Sequence, residues 1–417
     1  MEVLFLVLVL GTILGWCVLA RPAERVGLTA PMVFVAAGFV FAQLFDALDL
    51  GLERELVKVI AEVTLVWVLF GDASQVRWSQ FRRDLGTYAR LLGVGLPLTV
   101  ALGAGAAMVV LGLEPWPALL LGAALAPTDA ALGASVMSNP RVPDDVRSAL
   151  NVESGLNDGI ATPIVLVAIA GVAASEGITG IEGPGRAVLS LLLGVVVGAV
   201  IGAVGGILTK RARALGWLTE ELAGPAILAL ALLAYTGALL VDGNGFVAAF
   251  VGGLVFGNVA GRGGEKETYF VEQLGSLASM VSWLIFGALA VPVIGDRWSW
   301  TMLAYVGLSL TLVRMLPVAL SLIGAGFDRY SVVFIGWFGP RGLASVIFAL
   351  LTLEALEDAG QEIVAVISLT VLVSVVVHGL SAGPMADRFR TSSASPSRVP
   401  STGVDVAVSD PPPVEPA

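Results

Sequence analysis

The chain has 417 residues, of which 57% are hydrophobic and 13% charged, roughly half the charged share of an ordinary soluble domain. That composition excludes a soluble globular protein, and a formal net charge of −10 offers no basic surface to nucleic acid. Apolar runs long enough to span a bilayer recur from end to end, without the alternating segments of a transmembrane barrel, so the expected class is an all-α polytopic membrane protein.

Residues 2–20 read as a membrane helix. A secretory signal would begin with positive charge, whereas this segment carries Glu2, and Arg21 and Arg25 follow it. Further apolar segments at 28–45, 56–71, 88–111, 117–137, 150–174, 187–209, 223–241, 245–260, 270–294, 301–324, 332–353 and 363–385 bring the expectation to about thirteen transmembrane helices. With the N-terminus outside, the cytoplasmic loops and tail hold 17 of the 23 basic residues, among them Arg82, Arg83, Lys210, Arg211 and Arg213. The outer side holds Arg54, Lys58, Arg186 and Arg297, and only Arg314 and Arg341 fall inside membrane segments. The positive-inside rule then puts the C-terminus in the cytoplasm of a multi-pass cell-membrane protein. Residues 1–386 form the transmembrane domain. Residues 387–417, rich in Ser, Pro and Val, are expected to be a disordered tail. The single Cys17 excludes an internal disulfide and reads as a small apolar side chain in a helix.

Two segments are interrupted in mid-span, one by Ala126-Pro127-Thr128-Asp129-Ala130 and the other by Gly339-Pro340-Arg341-Gly342. Each sets a Pro and a charge where a continuous helix should run. Paired broken segments point to two inverted six-helix repeats with broken crossing helices, joined by the segment 187–209, with the binding site at the breaks. A broken helix exposes ends of opposite partial charge. Asp129 can neutralise converging N-termini and Arg341 converging C-termini. Thr128 offers a hydroxyl and a carbonyl to an ion.

The densest chemistry lies in Glu153-Ser154-Gly155-Leu156-Asn157-Asp158. A charge at mid-membrane depth is costly, by roughly 3 to more than 10 kcal/mol, and one that persists there usually serves an ion path and has partners. Residues four apart share a helix face, so Ser154, Asp158 and Thr162 form one polar stripe and Glu153 and Asn157 another. Oxygen groups around one carboxylate suit a small hard cation, and such an acid can hold either a proton or a metal ion. Helix-to-helix hydrogen bonding would explain Ser154 and Thr162 but explains two carboxylates poorly. Glu153 lies about 140° around the helix from Asp158. It is expected to neutralise the buried Arg314, with Arg341 as the alternative partner. Glu62 is a further intramembrane acid that completes the site or sits near the outer surface. Asp72, ending the same segment, is expected to reach cytoplasmic water. His378, the only histidine, reads as a packed helix residue.

In order along the chain, these motifs resemble the CPA1-type monovalent cation:proton antiporters, the NhaP-like sodium/proton exchangers related to animal Na⁺/H⁺ exchangers. Pro127-Thr128-Asp129 resembles the family's "PTD" segment, with Ala130 where Pro is usual. Glu153-Ser154-Gly155-Leu156-Asn157-Asp158 resembles its "ES–x–x–ND" segment. Gly243-Asn244-Gly245-Phe246 through Gly257-Asn258 resembles "GSG…AGLVLGN", and Val313-Arg314-Met315-Leu316-Pro317 is similar to "xRPL". Gly336-Trp337-Phe338-Gly339-Pro340-Arg341-Gly342 resembles "GWFGLRG". The resemblance implies an NhaA-like fold, a homodimer with a scaffold (about 1–71 and 187–294) and a moving core (about 88–174 and 301–385). It implies that Asp158, beside Asn157, carries cation and proton in turn, with Ser154, Thr128 and Glu62 as ligands. Asn157-Asp158, where others have two aspartates, implies electroneutral exchange of one proton per Na⁺, K⁺ or Li⁺.

No Walker-type loop, zinc spacing or TVGYG filter occurs, so no cofactor is expected beyond the transported cation and proton. An intramembrane aspartyl protease using Asp129 and Asp158 would require a Gly-x-Gly-Asp motif, which is absent, so no enzyme is expected. A channel or proton-coupled symporter for another small solute is the alternative transport reading. An aromatic or amide-lined pocket would favour it.

Overall fold

The computed structural model describes residues 2–25, 28–45, 54–76, 85–129, 132, 139, 141–178, 183–261 and 265–391. Among them all regular structure is helical. Eight helical stretches are long and apolar enough to cross a membrane, and Ala30–Leu44, Pro115–Ala124 and Gly245–Ala260 are shorter apolar helices.

The chain opens with α1 (Glu2–Arg25), α2 (Ala30–Leu44) and α3 (Arg54–Gln75). Helix α4 covers residues 85–111, and its turns Leu91–Gly95 and Ala107–Leu111 are π-helical. The first wide turn abuts Pro97, which has no N–H to donate back to residue 93. Then come α5 (Pro115–Ala124), α6 (Asp144–Ser175), α7 (Pro184–Ala214), α8 (Glu220–Leu239), α9 (Gly245–Ala260) and α10 (Glu265–Leu289). After the 3₁₀ segment Pro292–Arg297 follow α11 (Trp300–Leu310), α12 (Leu312–Ser321), α13 (Arg329–Trp337), α14 (Leu343–Leu356) and α15 (Gln361–Asp387).

The segment 301–324, read from sequence as one helix, is two. The Thr311 hydroxyl takes the carbonyl of Gly307 at 2.6 Å, the acceptor its own amide would use, and that amide turns to Leu308 at 3.3 Å. The segment 332–353 divides into α13 and α14 across Phe338–Gly342. The far half of the segment 117–137, with Ala130, lies outside the described residues except for residue 132. Of the tail expected from residue 387, Arg388–Thr391 continues α15 as a 3₁₀ turn with Phe389 buried, and residues 392–417 lie outside the described residues.

The main core joins Phe34, Leu65, Leu121, Val165, Phe286, Val346 and Val364 from α2, α3, α5, α6, α10, α14 and α15. A second core gathers Leu91, Val146, Leu150, Phe334, Phe338 and Phe389, where the Phe334 ring lies 4.6 Å from Phe338 and 4.9 Å from Phe389. It anchors α13 from below the break. Asp328 caps the same helix, and its bonds from the Ser331 side chain and backbone N–H hold its carboxyl below the usual carboxylate range.

Small residues set the closest helix contacts, as in membrane bundles generally. A Cβ on Gly194, Gly198 or Gly202 of α7 would stand 2.5, 2.4 or 2.3 Å from the carbonyl oxygens of Asn244, Ala248 and Gly252. The opposite face of α7 exposes Leu189, Leu192, Val196, Val200 and Leu208, an apolar stripe at helical spacing. Gly198→Val should therefore force α7 from α9 and destabilise the protein by about 1–3 kcal/mol. A melting temperature in detergent equal to that of the unmodified chain would contradict this packing.

Candidate functional site

The site is built around a crossing of two non-helical segments. Past α5 the chain is non-helical through Ala126–Asp129, and past α13 through Phe338–Gly342. The Asp129 N–H donates to the Pro340 carbonyl at 2.9 Å, and Asp129 Oδ2 accepts from the Leu343 N–H at 3.0 Å. The acid thus sits at the positive N-terminus of α14. Arg341 donates to the carbonyls of Ala126 at 3.1 Å, Pro127 at 3.4 Å and Ser309 at 3.2 Å. The Ser345 hydroxyl takes the Ala124 carbonyl at 2.7 Å. The last carbonyl of α5 is thereby answered by a hydroxyl, and two carbonyls just beyond the helix by a cation. The crossing needs two glycines: a Cβ on Gly342 would stand 2.0 Å from Asp129 Cβ, and one on Gly339 2.5 Å from Arg314 Nε.

Glu153 meets Arg314. Nη1 lies 2.5 Å from Oε1 and Nη2 2.8 Å from Oε2, a two-pronged pair with each residue 2% exposed or less. The Arg341 guanidinium donates to carbonyls instead.

The remaining carboxylate of α6, Asp158, lines a cavity of about 340 Å³. Asn151, Ser154, Gly155 and Asp158 contribute from one face of α6, and Thr128, Asp129 and Leu343 from the crossing. Asp158 is 9% exposed, and its Oδ1 is buried without a hydrogen-bond partner. Thr128 Oγ1 accepts from Asn157 Nδ2 at 2.8 Å and lies 3.1 Å from Ser154 Oγ. Asn157 Oδ1 is likewise buried and unpartnered. The Thr162 hydroxyl donates back to the Asp158 carbonyl at 2.7 Å, and Thr162 does not line the cavity. A buried carboxylate oxygen with no donor is unfavourable when charged, unless a proton or a cation answers it. Among the described residues no group of three or more His, Cys, Asp and Glu could hold a metal ion.

Glu62 is not on the cavity wall. It is half-buried on α3, hydrogen-bonded to Tyr235 and close to Lys58 and Glu354. Lys58 itself bridges α3 to α14 through Glu354 at 3.1 Å. The acid that α3 does bring to the cavity is Asp72, with Trp67, Val68, Gly71 and Gln75. Asp72 is half-buried and shares a cavity with Asp158. Helix α10 adds Val271, Gly275, Ser276 and Ser279. The available signal was the spacing of these residues at three and four along each helix.

A helical membrane bundle with two interrupted segments crossing beside a buried acid is the arrangement of ion-coupled secondary transporters. The chain belongs to the sodium/hydrogen exchanger family, whose transmembrane model matches residues 5–388. It is 28% identical over 390 residues to the K(+)/H(+) antiporter NhaP of Alkalimonas amylolytica, covering 92% of this chain and 65% of that one. It is 25% identical over 373 residues to the K(+)/H(+) antiporter NhaP2 of Shewanella sp. (strain MR-4), covering 87% of this chain and 63% of that one. The chain thus spans just under two thirds of the length of these relatives. Its fold is similar to that of the sodium proton antiporter MjNhaP1 from Methanocaldococcus jannaschii. The TM-score is 0.77 at 22% identity, over 93% of this chain and 99% of that one.

Removing one partner of a buried ion pair leaves a bare charge and costs about 3–5 kcal/mol. Glu153→Ala is therefore expected to lower the melting temperature and the yield of folded protein, and adding Arg314→Met should restore part of both. A stable Glu153→Ala protein would show that the pair does not hold the fold.

Proposed function

We propose that the chain is a secondary monovalent cation/proton antiporter that moves Na⁺, K⁺ or Li⁺ against H⁺, with Asp158 occupied by cation and proton in turn. The observation that carries this reading is the buried, donor-free Oδ1 of Asp158 on a cavity wall rich in oxygen groups. A proton or a dehydrated alkali ion satisfies that oxygen equally, and occupancy by one excludes the other. Family membership and the antiporter names of the two relatives agree with it.

In this reading Ser154 and Thr128 supply oxygens to the cation, and Asn157 holds the Thr128 hydroxyl by its 2.8 Å bond. Asp72 is a second acid on the cation's route, and Glu62 stands outside the ligand set. Asp129 and Arg341 neutralise the broken helix ends, while Glu153 and Arg314 cancel each other. Because Asp129 is engaged by the α14 backbone, it is poorly suited to a protease dyad with Asp158. One cation is exchanged for one proton, since Asn157 stands where a second acid would carry another.

The cavity wall is shared by α3 and α10 on one side and by α6 and the crossing on the other. That division supports alternating access, with a core of α4–α6 and α11–α15 moving against a scaffold of the remaining helices. The architecture proposed is about thirteen membrane helices in two inverted six-helix repeats, N-terminus outside and C-terminus cytoplasmic. A homodimer is proposed as well, and the exposed apolar stripe of α7 is compatible with lipid or a second copy.

Asp158→Asn keeps the size of the side chain and removes the charge. In proteoliposomes it should abolish cation-dependent proton efflux while the protein stays folded and monodisperse; exchange that persists would reject Asp158 as the carrier. In the same vesicles an imposed membrane potential of either sign should leave the unmodified protein's rate unchanged. A potential that drives net cation uptake would rule out one-for-one exchange.

A further inference from the structure

One buried titratable group takes no part in the reading above. His378 of α15 is the only histidine in the chain and is 2% exposed. Its packing is ordinary, with the Trp337 ring 5.2 Å away. Its hydrogen bonds are not. Nε2 lies 2.9 Å from the carbonyl of Trp337, the last residue of α13. Nδ1 lies 3.1 Å from Ser374 Oγ and 2.8 Å from the Ser374 carbonyl. Ser374 Oγ in turn accepts the backbone N–H of Arg341 at 2.8 Å.

A carbonyl faces each ring nitrogen, and a carbonyl can only accept. A hydrogen on Nε2 therefore bonds the ring to the Trp337 carbonyl at the end of α13. On its other side Nδ1 meets Ser374, whose hydroxyl accepts from the Arg341 N–H. Polar contacts thus run without a break from the end of α13 through the imidazole and the serine to the middle of the crossing. Arg341 follows Pro340, whose carbonyl holds the Asp129 N–H at 2.9 Å, and Asp129 and Thr128 line the cavity with Asp158.

We propose that His378 is a positioning residue for exchange: through an Nε2 hydrogen it fixes the end of α13 and, through Ser374, the backbone that carries Thr128 and Asp129 into the cation cavity. Its effect on transport rests on the antiporter reading; its hydrogen-bond pattern does not.

The test has two arms. His378→Leu keeps an apolar side chain of similar bulk and loses both hydrogen bonds, whereas His378→Gln keeps one donor and one acceptor. In proteoliposomes, His378→Leu should raise the half-saturating alkali cation concentration about tenfold, the scale set by losing a buried hydrogen bond, and His378→Gln should stay within about threefold of the unmodified protein. A folded His378→Leu protein with unmodified half-saturation overturns the proposal. Should that variant fail to fold, Ser374→Ala cuts the chain of bonds at its middle; it should raise half-saturation likewise, and an unchanged value overturns the proposal. In the second arm, ¹⁵N-imidazole NMR of the full chain, purified without a histidine tag, reports His378 alone. A hydrogen on Nε2 near neutral pH is expected, in the neutral ring or the imidazolium, and the neutral Nδ1–H tautomer, which leaves the Trp337 carbonyl without a donor, overturns the assignment. If the unmodified protein exchanges no alkali cation, the antiporter reading falls, and the NMR arm still decides the hydrogen-bond network.

Discussion

The hydrogen-bonded crossing of residues 126–129 with residues 338–342 is the constraint on which the rest of the molecule depends. Neither segment satisfies its own backbone, and in an apolar interior an unsatisfied amide or carbonyl costs several kcal/mol. Each segment therefore answers the other. Asp129 takes the first amide of α14, Pro340 takes the amide of Asp129, and Arg341 takes carbonyls just beyond α5. Gly339 and Gly342 permit the approach because a side chain at either would overlap Arg314 or Asp129. The charges at the crossing are thus part of its backbone bonding, and a neutral residue at either would leave helix ends bare.

The two buried acids of α6 differ in whether the fold answers their carboxylate oxygens. Glu153 and Arg314 close on each other through two hydrogen bonds and present little for a mobile ion to gain. Asp158 has an oxygen that nothing in the fold answers, although it is as close to the interior as its neighbours on α6. The same helix therefore carries one acid that stabilises the bundle and one whose bonding must be completed from outside. The five-residue offset between them sends the two carboxylates in different directions around the helix.

The seams between helices differ in the same functional sense. Helices α7 and α9 meet backbone to backbone along Gly194, Gly198 and Gly202, a contact that leaves no slack. Around Asp158, by contrast, α3 and α10 face α6 and the crossing across an open cavity, joined elsewhere by polar links such as Lys58 to Glu354. A tight seam within one group of helices and a looser one between groups is what relative movement about a fixed site requires.

Much of this was legible in the chain alone, because membrane burial imposes local rules. Hydropathy marked the helical segments, and Pro127 and Pro340 with their neighbouring charges marked the two interruptions. Asp158 stood out as an acid with oxygen neighbours at helical spacing. What the sequence could not settle was every relation set by how helices rotate against one another. The partner of Glu153 lies 161 positions away; Arg314 was the expected one, but Arg341 stayed open as the alternative until the packing chose. The acid of α3 that reaches the cavity is Asp72 and not Glu62, since the helix turns Glu62 toward Tyr235. Thr162 shared a polar stripe with Asp158 by spacing, and its hydroxyl bonds its own helix's carbonyl; Thr311 does the same where a helix divides. Composition and period decide which segments lie in the membrane. Only packing decides which faces meet, because interhelical contacts depend on rotation and depth that no single segment encodes.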